Sequence, residues 1–374
     1  MTTRGTIAAA VADDADRWVT VSAVLLVGIG IVMVYSSSYV MAMERLGDEY
    51  HFFKRHVFFA IIGFGLFAAA SRLPYTIYRR AAYPLLIAAA AALMLIFAPG
   101  LGSEVGGARR WVRIGPVGFQ PSEFAKLAVI IFLAYSLSRR AGRIGSFAFG
   151  FLPNVLIPGA VIALILAEPD LGTAVSLGGL VVLMNFVAGA RLKHLAGLVA
   201  VAAPVLFIVV TRYEYMMRRI LIFLDPWKDP TGAGFQTVQS LVAFASGGLG
   251  GVGLGEGMQK LFYLPEAHTD FILSVVGEEF GLIGVSAIMV LYIIFLVGGT
   301  TIAMRARDLF GSYLALGLTF MVVLQAMVNM AVVLAMLPPK GLPLPFVSYG
   351  GTSLITNLAA AGMLLNIHVR GNRA

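Results

Sequence analysis

Cysteine is absent from this chain of 374 residues, and charge is scarce. Without cysteine there is no disulfide framework, no thiol nucleophile and no thiolate metal site. Charged residues make up 12% of the sequence against 59% hydrophobic, which is about half the charge of an ordinary soluble domain. No H-E-x-x-H or comparable metal-ligand cluster occurs. GLGGVG at 248–253 satisfies G-x-G-x-x-G, yet no strand precedes it and no βαβ unit surrounds it. It also lacks the Lys-Ser/Thr ending of a phosphate loop, so its glycines are expected to serve tight turns or close packing.

What is present is long apolar runs from end to end. A run of about 20 such residues crosses the hydrocarbon core as a helix. Backbone polar groups must pair inside lipid, and runs this uniformly apolar lack the alternation of barrel strands. The chain therefore reads as an all-α, polytopic integral membrane protein, one domain over 1–374. Ten spans are expected at 18–38, 56–71, 81–98, 119–138, 149–167, 171–189, 194–210, 275–299, 312–336 and 349–368. The first begins after a polar stretch with Asp13, Asp14 and Asp16 and is long enough to span, which is unlike a cleaved signal.

Charge sorts by side. The N-terminal tail and alternate loops hold Arg4, Arg17, Arg72, Arg79, Arg80, Arg139, Arg140, Arg143, Arg191, Lys193, Arg305, Arg307, Arg370 and Arg373. These are 14 of the 27 basic residues, set among only four of the 19 acids. Basic residues in short loops stay cytoplasmic, so both termini are expected inside. The net charge of +8 is thus a topology signal and no nucleic-acid footprint. The other side receives 99–118, a turn at 168–170 and a large loop at about 211–269, whose Trp227, Tyr263 and apolar patches speak for a folded segment.

Ionisable residues at membrane depth tend to mark function. Glu123 and Lys126 share one helix face at i, i+3, either as a neutralised pair tying helices or as the polar wall of a cavity. Glu168 and Asp170 flank Pro169, where a helix stop and a dipole-favoured acidic start account for both. In LPEAHTDFI (264–272), Thr269 is placed to cap the next helix and Asp270 to sit in its first turn. Asp270, Ser274 and Gly277 would share a small polar face, suited to a cavity wall. His268 fits a hydrogen-bonding loop histidine better than a base. In LPPKGLPLPFVSYGGTS (337–353), four prolines and three glycines around Lys340 make a shaped, non-helical re-entry. Together these residues describe an outward polar cavity with an acid, several cations and lipid access. They do not name a substrate.

PFVSYGGTS, preceded by LPPKGLPL, resembles the C-terminal signature of the SEDS family (shape, elongation, division and sporulation proteins). ARRWVRIGPVGFQPSEFAK (108–126), DPWKDPTGAGFQTVQS (225–240) and LPEAHTDFILSVVGEEFGLIG (264–284) match in order. Lys340-Gly341 and Ala267 are more similar to the division branch than to the elongation branch. The resemblance implies a peptidoglycan glycosyltransferase of the bacterial cytoplasmic membrane that polymerises lipid II during cell division, at the division septum. It implies a class B penicillin-binding protein and other division proteins as partners. The family's essential aspartate falls on Asp270, implied as general base for an inverting transfer. Glu123, Lys126, Arg113, Lys340, Ser348 and His268 are implied substrate-binding residues. Arg109, Arg110, Arg113, Arg218, Arg219 and Lys260, or a divalent ion such as Mg²⁺ or Mn²⁺, would meet the leaving pyrophosphate. A lipid II flippase, or a non-catalytic division scaffold, remains the alternative on the same residues.

Overall fold

The computed structural model describes residues 14–98, 102–105, 108–114, 117–232, 234–261 and 264–371. Arg4, Asp13, Tyr263, Arg373 and the side chain of Arg109 lie outside the described residues. Twelve helices follow in order: α1 (Ala15–Leu46), α2 (His51–Arg72), α3 (Thr76–Leu95), α4 (Pro121–Arg139), α5 (Pro153–Ala167), α6 (Leu171–Val187), α7 (Leu192–Arg212), α8 (Glu214–Leu224), α9 (Phe235–Gly247), α10 (Ile272–Met304), α11 (Leu309–Val333) and α12 (Gly351–Gly371). All but α8 and α9 correspond to expected spans. Eight of those ten are long and apolar enough to cross a membrane, while α5 and α6 have only 15 and 17 residues. The chain is a multi-pass membrane protein.

Between α3 and α4 lies the one sheet among the described residues. Strands β1 (Gly102–Val105), β2 (Ala108–Ile114) and β3 (Val117–Phe119) pair antiparallel in that order. Most of the remaining bundle encloses α4, whose residues from Ala125 to Ala134 are nearly all buried. The basic loops gather at one end. There the backbone N–H of Tyr75 donates to Asn366 Oδ1 at 2.8 Å, and Asn366 Nδ2 donates to the Ser71 carbonyl at 2.7 Å. Arg79 meets Asp308 at 3.8 Å, so the α2–α3 turn, the α10–α11 turn and the end of α12 are fastened together.

The large loop is folded, as its aromatic content requires, but its parts do more than cover a face. α9 packs against the start of α10: Ser240 and Ser274 hydroxyls lie 2.7 Å apart, and a Cβ on Gly277 would come within 2.5 Å of the Phe244 ring. The face carrying Ser274 and Gly277 is therefore taken up by α9 and forms no cavity wall. α10 itself breaks at Gly281, whose φ of 62° no helix contains. Backbone groups freed by a break inside a membrane must find partners. GLGGVG supplies them. Leu282 and Ile283 N–H donate to the Gly248 and Leu249 carbonyls, and Val252 and Gly253 N–H donate to those of Glu278 and Glu279. A Cβ at Gly251 would fall 2.2 Å from the Glu279 carbonyl oxygen, so only glycine permits this approach.

Two carboxylates anchor the rest of that loop. Glu278 accepts from the Met258 and Gln259 N–H groups, and Glu279 accepts from Ser36 Oγ and from Lys260 Nζ at 2.7 Å. Lys260, expected among the cations for a leaving group, is consequently buried and paired with Glu279.

Candidate active site

Asp270 precedes α10 rather than opening its first turn, because the helix starts at Ile272 and Phe271 occupies the cap position without a side-chain cap. The loop holding it is fixed through its backbone. Tyr349 N–H donates to the His268 carbonyl at 3.0 Å, Ser348 Oγ to the Thr269 carbonyl at 2.6 Å, and Asn329 Nδ2 to the Asp270 carbonyl at 2.8 Å. Asn329 Nδ2 also donates to the Leu342 carbonyl at 2.8 Å, and the Leu344 N–H donates back to Ser348 Oγ at 2.8 Å. The two unusual stretches of the sequence are thus laced into one unit by α11. Phe346, at φ 66°, bears the strain of the re-entry.

One helical turn before Asn329, Gln325 Nε2 donates to the Pro343 carbonyl at 2.8 Å and its Oε1 accepts from Lys126 Nζ at 2.6 Å. Lys126 pairs with Glu123 at 2.8 Å, both side chains being almost wholly buried. Glu123 and Lys126 line neither of the cavities described next. They act through Gln325 on the loop behind the site. Ser348 likewise lines neither cavity, with its hydroxyl committed to the two loops.

A cavity of about 880 Å³ opens in front of Asp270. Arg55, Arg110, Arg113 and Arg219 line it with Trp111, Gln120, Glu266, His268 and Tyr349. His268 is buried between the rings of Phe52 and Tyr349, with centroids 4.6 and 5.6 Å away, and burial lowers its pKa against an opposing pull from Glu266. A neutral, stacked imidazole positions the loop.

The carboxylate of Asp270 makes no hydrogen bond or ion pair with a described side chain. Desolvation, and next the charge of Glu266, push its pKa up to about 7, against the pull of Arg219 and Arg110. The residue keeps part of its surface on the cavity, so water admitted there moderates the rise. A carboxylate poised near neutrality and facing a cavity is a candidate general base.

A second cavity, about 210 Å³, lies next to the first and shares Arg110, Arg219 and Gly341 with it. Lys340 lines this one, and burial lowers its pKa. Asp170, also on its wall, caps α6 by accepting from Thr173 N–H at 3.1 Å and Thr173 Oγ1 at 2.8 Å, as a helix-start acid should. Glu168 is buried with neither oxygen partnered, and its pKa rises to about 8 through burial, then Asp170, against Arg110. The rise favours the neutral acid, which lowers the cost of an unpaired buried carboxyl. Arg218 lines neither cavity.

Sequence reading passed over Gln325, Asn329 and Arg55. The first two carried a usable signal: lone amides at i, i+4 in an apolar span. Arg55 carried none, since an arginine at a span end is ordinary.

Fold and site together define a multi-pass membrane protein with an unpaired acid and several cations at the mouth of its bundle. Residues 16–373 match the model of the FtsW/RodA/SpoVE family, described as cell cycle proteins, and the chain belongs to that family, the SEDS proteins. It is 46% identical over 355 residues to the Probable peptidoglycan glycosyltransferase FtsW of Geobacter sulfurreducens, covering 95% of each chain. It is 41% identical over 352 residues to Stage V sporulation protein E of Bacillus subtilis, covering 94% of this chain and 96% of that one. Among solved structures it is similar to the rod shape determining protein RodA of Thermus thermophilus, with TM-score 0.70, 28% identity and coverage of 95% and 97%. It is also similar to a chain from a structure described as the structural coordination of polymerization and crosslinking by a peptidoglycan synthase complex, with TM-score 0.77, 30% identity and coverage of 95% and 98%.

Proposed function

We infer that this chain is a peptidoglycan glycosyltransferase that extends glycan strands from lipid II in cell division, with Asp270 as general base. The observation that carries the reading is the carboxylate left without a side-chain partner, facing the 880 Å³ cavity amid Arg110, Arg113 and Arg219. The sugar hydroxyl of the acceptor attacks the anomeric carbon of the donor. As the new carbon–oxygen bond forms, its proton passes to Asp270, and the bond from the anomeric carbon to the lipid diphosphate breaks. Inversion needs one base and no covalent intermediate. Diphosphate leaves readily as an anion, so cations help it more than an acid would.

A divalent ion is an expectation of the resemblance. Among the described residues no three acids or histidines converge as ligands, and no step is drawn through an ion. A class B penicillin-binding protein as partner is supported by the similarity to a chain of a peptidoglycan synthase complex. Both termini inside, with the site outside, is the placement that the charged loops support, and a place at the septum rests on the similarity to FtsW.

Purified full-length protein, with such a partner, is mixed with labelled lipid II. Polymer is expected. Transfer of intact lipid II across a vesicle membrane without any polymer would make the chain a flippase, and neither activity would leave a scaffold.

A further inference from the structure

We propose that the smaller cavity seats the leaving lipid diphosphate of the donor, while the larger one holds the sugars, with Arg110, Arg219 and Gly341 as the partition where the anomeric carbon reacts. This rests on the glycosyl-transfer reading above.

In an inverting displacement the nucleophile and its base stand on one face of the anomeric carbon, and the leaving group departs from the other. Two sub-sites on either side of a narrow junction are therefore required. The protein has two cavities that meet at Arg110, Arg219 and Gly341, and Asp270 lines only the larger. The partition is thin at residue 341, which has no side chain. A Cβ there would lie 3.3 Å from Asp270 Oδ2 and 3.8 Å from Arg110 Nη1.

Wall chemistry assigns the two sides. The larger cavity sets Arg55, Arg110, Arg113 and Arg219 against the acids Glu266 and Asp270. It also presents Ser103, Gln120, Thr269 and Ser353 with Trp111 and Tyr349, the hydroxyls, amide and flat rings that suit a carbohydrate. The smaller presents three cations, Arg110, Arg219 and Lys340, on walls that are otherwise mostly apolar: Val175, Leu206, Val210, Met216 and Ile220. Its one acid, Asp170, is already spent on Thr173. Cations beside apolar helix faces match a diphosphate joined to an isoprenoid chain.

Two polar groups there await an acceptor. Arg110 spends Nη2 on the Pro169 carbonyl at 2.6 Å, and its buried Nε has no partner. The Lys340 ammonium, between Pro339 and Gly341, has none among the described residues. Arg219 is held by the Pro339 carbonyl at 3.0 Å, which fixes the partition from the other loop. An arriving dianion would satisfy Arg110 and Lys340 and favour the charged form of the lysine, which burial disfavours.

The test measures binding of undecaprenyl diphosphate, the product, to the full-length protein in nanodiscs, with inorganic diphosphate as the second arm. Lys340→Ala should weaken undecaprenyl diphosphate binding roughly tenfold, the worth of one charge-assisted hydrogen bond, and Lys340→Arg should recover part of it. Val210→Trp, which fills the apolar end, should weaken the lipid form and leave inorganic diphosphate unchanged. Arg113→Ala, removing a cation of the larger cavity only, should leave binding of both forms unchanged. Thermal unfolding of each variant separates misfolding from lost contact. Loss of binding with Arg113→Ala, combined with wild-type binding for Lys340→Ala and Val210→Trp, would put the leaving group in the larger cavity and overturn the proposal. So would binding that none of these substitutions alters. Failure of the transfer reading would look different: wild-type protein would bind the product normally yet make no polymer from lipid II.

Discussion

Glu123 and Asp270 are both carboxylates set in an apolar bundle, and the fold treats them in opposite ways. Glu123 has Lys126 at 2.8 Å and lies behind the site, where the pair reaches the re-entrant loop through Gln325. Asp270 has its backbone carbonyl held by Asn329 but its carboxylate left without a partner among the described side chains, facing a large cavity. A paired charge in low dielectric is satisfied and can only hold things together. An unpaired one retains its affinity for a proton and can do chemistry. Glu168 shows the third solution, burial as a neutral acid.

The largest effect expected from this contrast is at Asp270. Asp270→Asn keeps the size and the backbone anchors and removes only the basicity. Polymerisation should fall by about 10²–10⁴-fold, the usual worth of a general base, with membrane insertion and thermal stability unchanged. Near-normal polymer lengths and rates from labelled lipid II would remove the base from Asp270.

The paired carboxylate should fail through folding instead. Lys126→Met leaves Glu123 buried beside an apolar chain, which costs about 3–5 kcal/mol when one partner of a buried pair is lost. Joint replacement with Glu123→Leu should recover a large part of that stability, because no charge is then stranded. Thermal unfolding of both singles and the double measures the coupling. Simple additivity would mean that the two side chains do not act as a pair.

Asn329 joins the two halves of the comparison, since it touches Asp270 only through the backbone. Asn329→Ala removes both donations, to the Asp270 and Leu342 carbonyls, at about 1 kcal/mol each. A displacement of the base by about 1 Å can cost up to 10²-fold in rate. The turnover number should fall toward that limit while the apparent affinity for lipid II changes little. A change confined to stability would make Asn329 a structural amide.

Much of this arrangement could be read from the amino acids. Ten apolar runs foretold ten helices, since length and uniform apolarity leave a membrane span few alternatives. Asp270 and Lys340 stood out because each is a charge next to an apolar segment. The break at Gly281 did not, for a run from Phe280 to Gly299 without charge reads as one straight span. Its partner, GLGGVG, is more than twenty residues away in sequence and pairs only through backbone groups. The sheet at 102–119 escaped for a related reason: short strands in a loop carry too little periodicity. The cap expected from Thr269 and the first-turn place expected for Asp270 gave way to the backbone anchors on α11 and the final loop, which no local pattern announces.

The smallest effect sharpens why Asp270 sits near neutrality. Burial raises its pKa first, and Glu266 second, so both a structural and an adjustable cause are present. Glu266 is exposed, and its Oε2 accepts from Thr269 Oγ1 at 2.9 Å, a contact that glutamine at 266 can keep through its own carbonyl oxygen. Glu266→Gln should therefore leave the loop in place and withdraw one negative charge. The base works only when ionised, so wild-type activity rises as pH climbs through about 7. A neighbouring negative charge holds the proton on Asp270. Removing it moves the midpoint toward lower pH, by less than about one unit because solvent screens an exposed partner. Salt offers an independent check. Raising ionic strength should narrow the gap between the two midpoints, since salt screens the Glu266 charge that only the wild type carries, while the pull of Arg219 and Arg110 is common to both. Coincident pH profiles for the two proteins at low salt would assign the rise to burial alone.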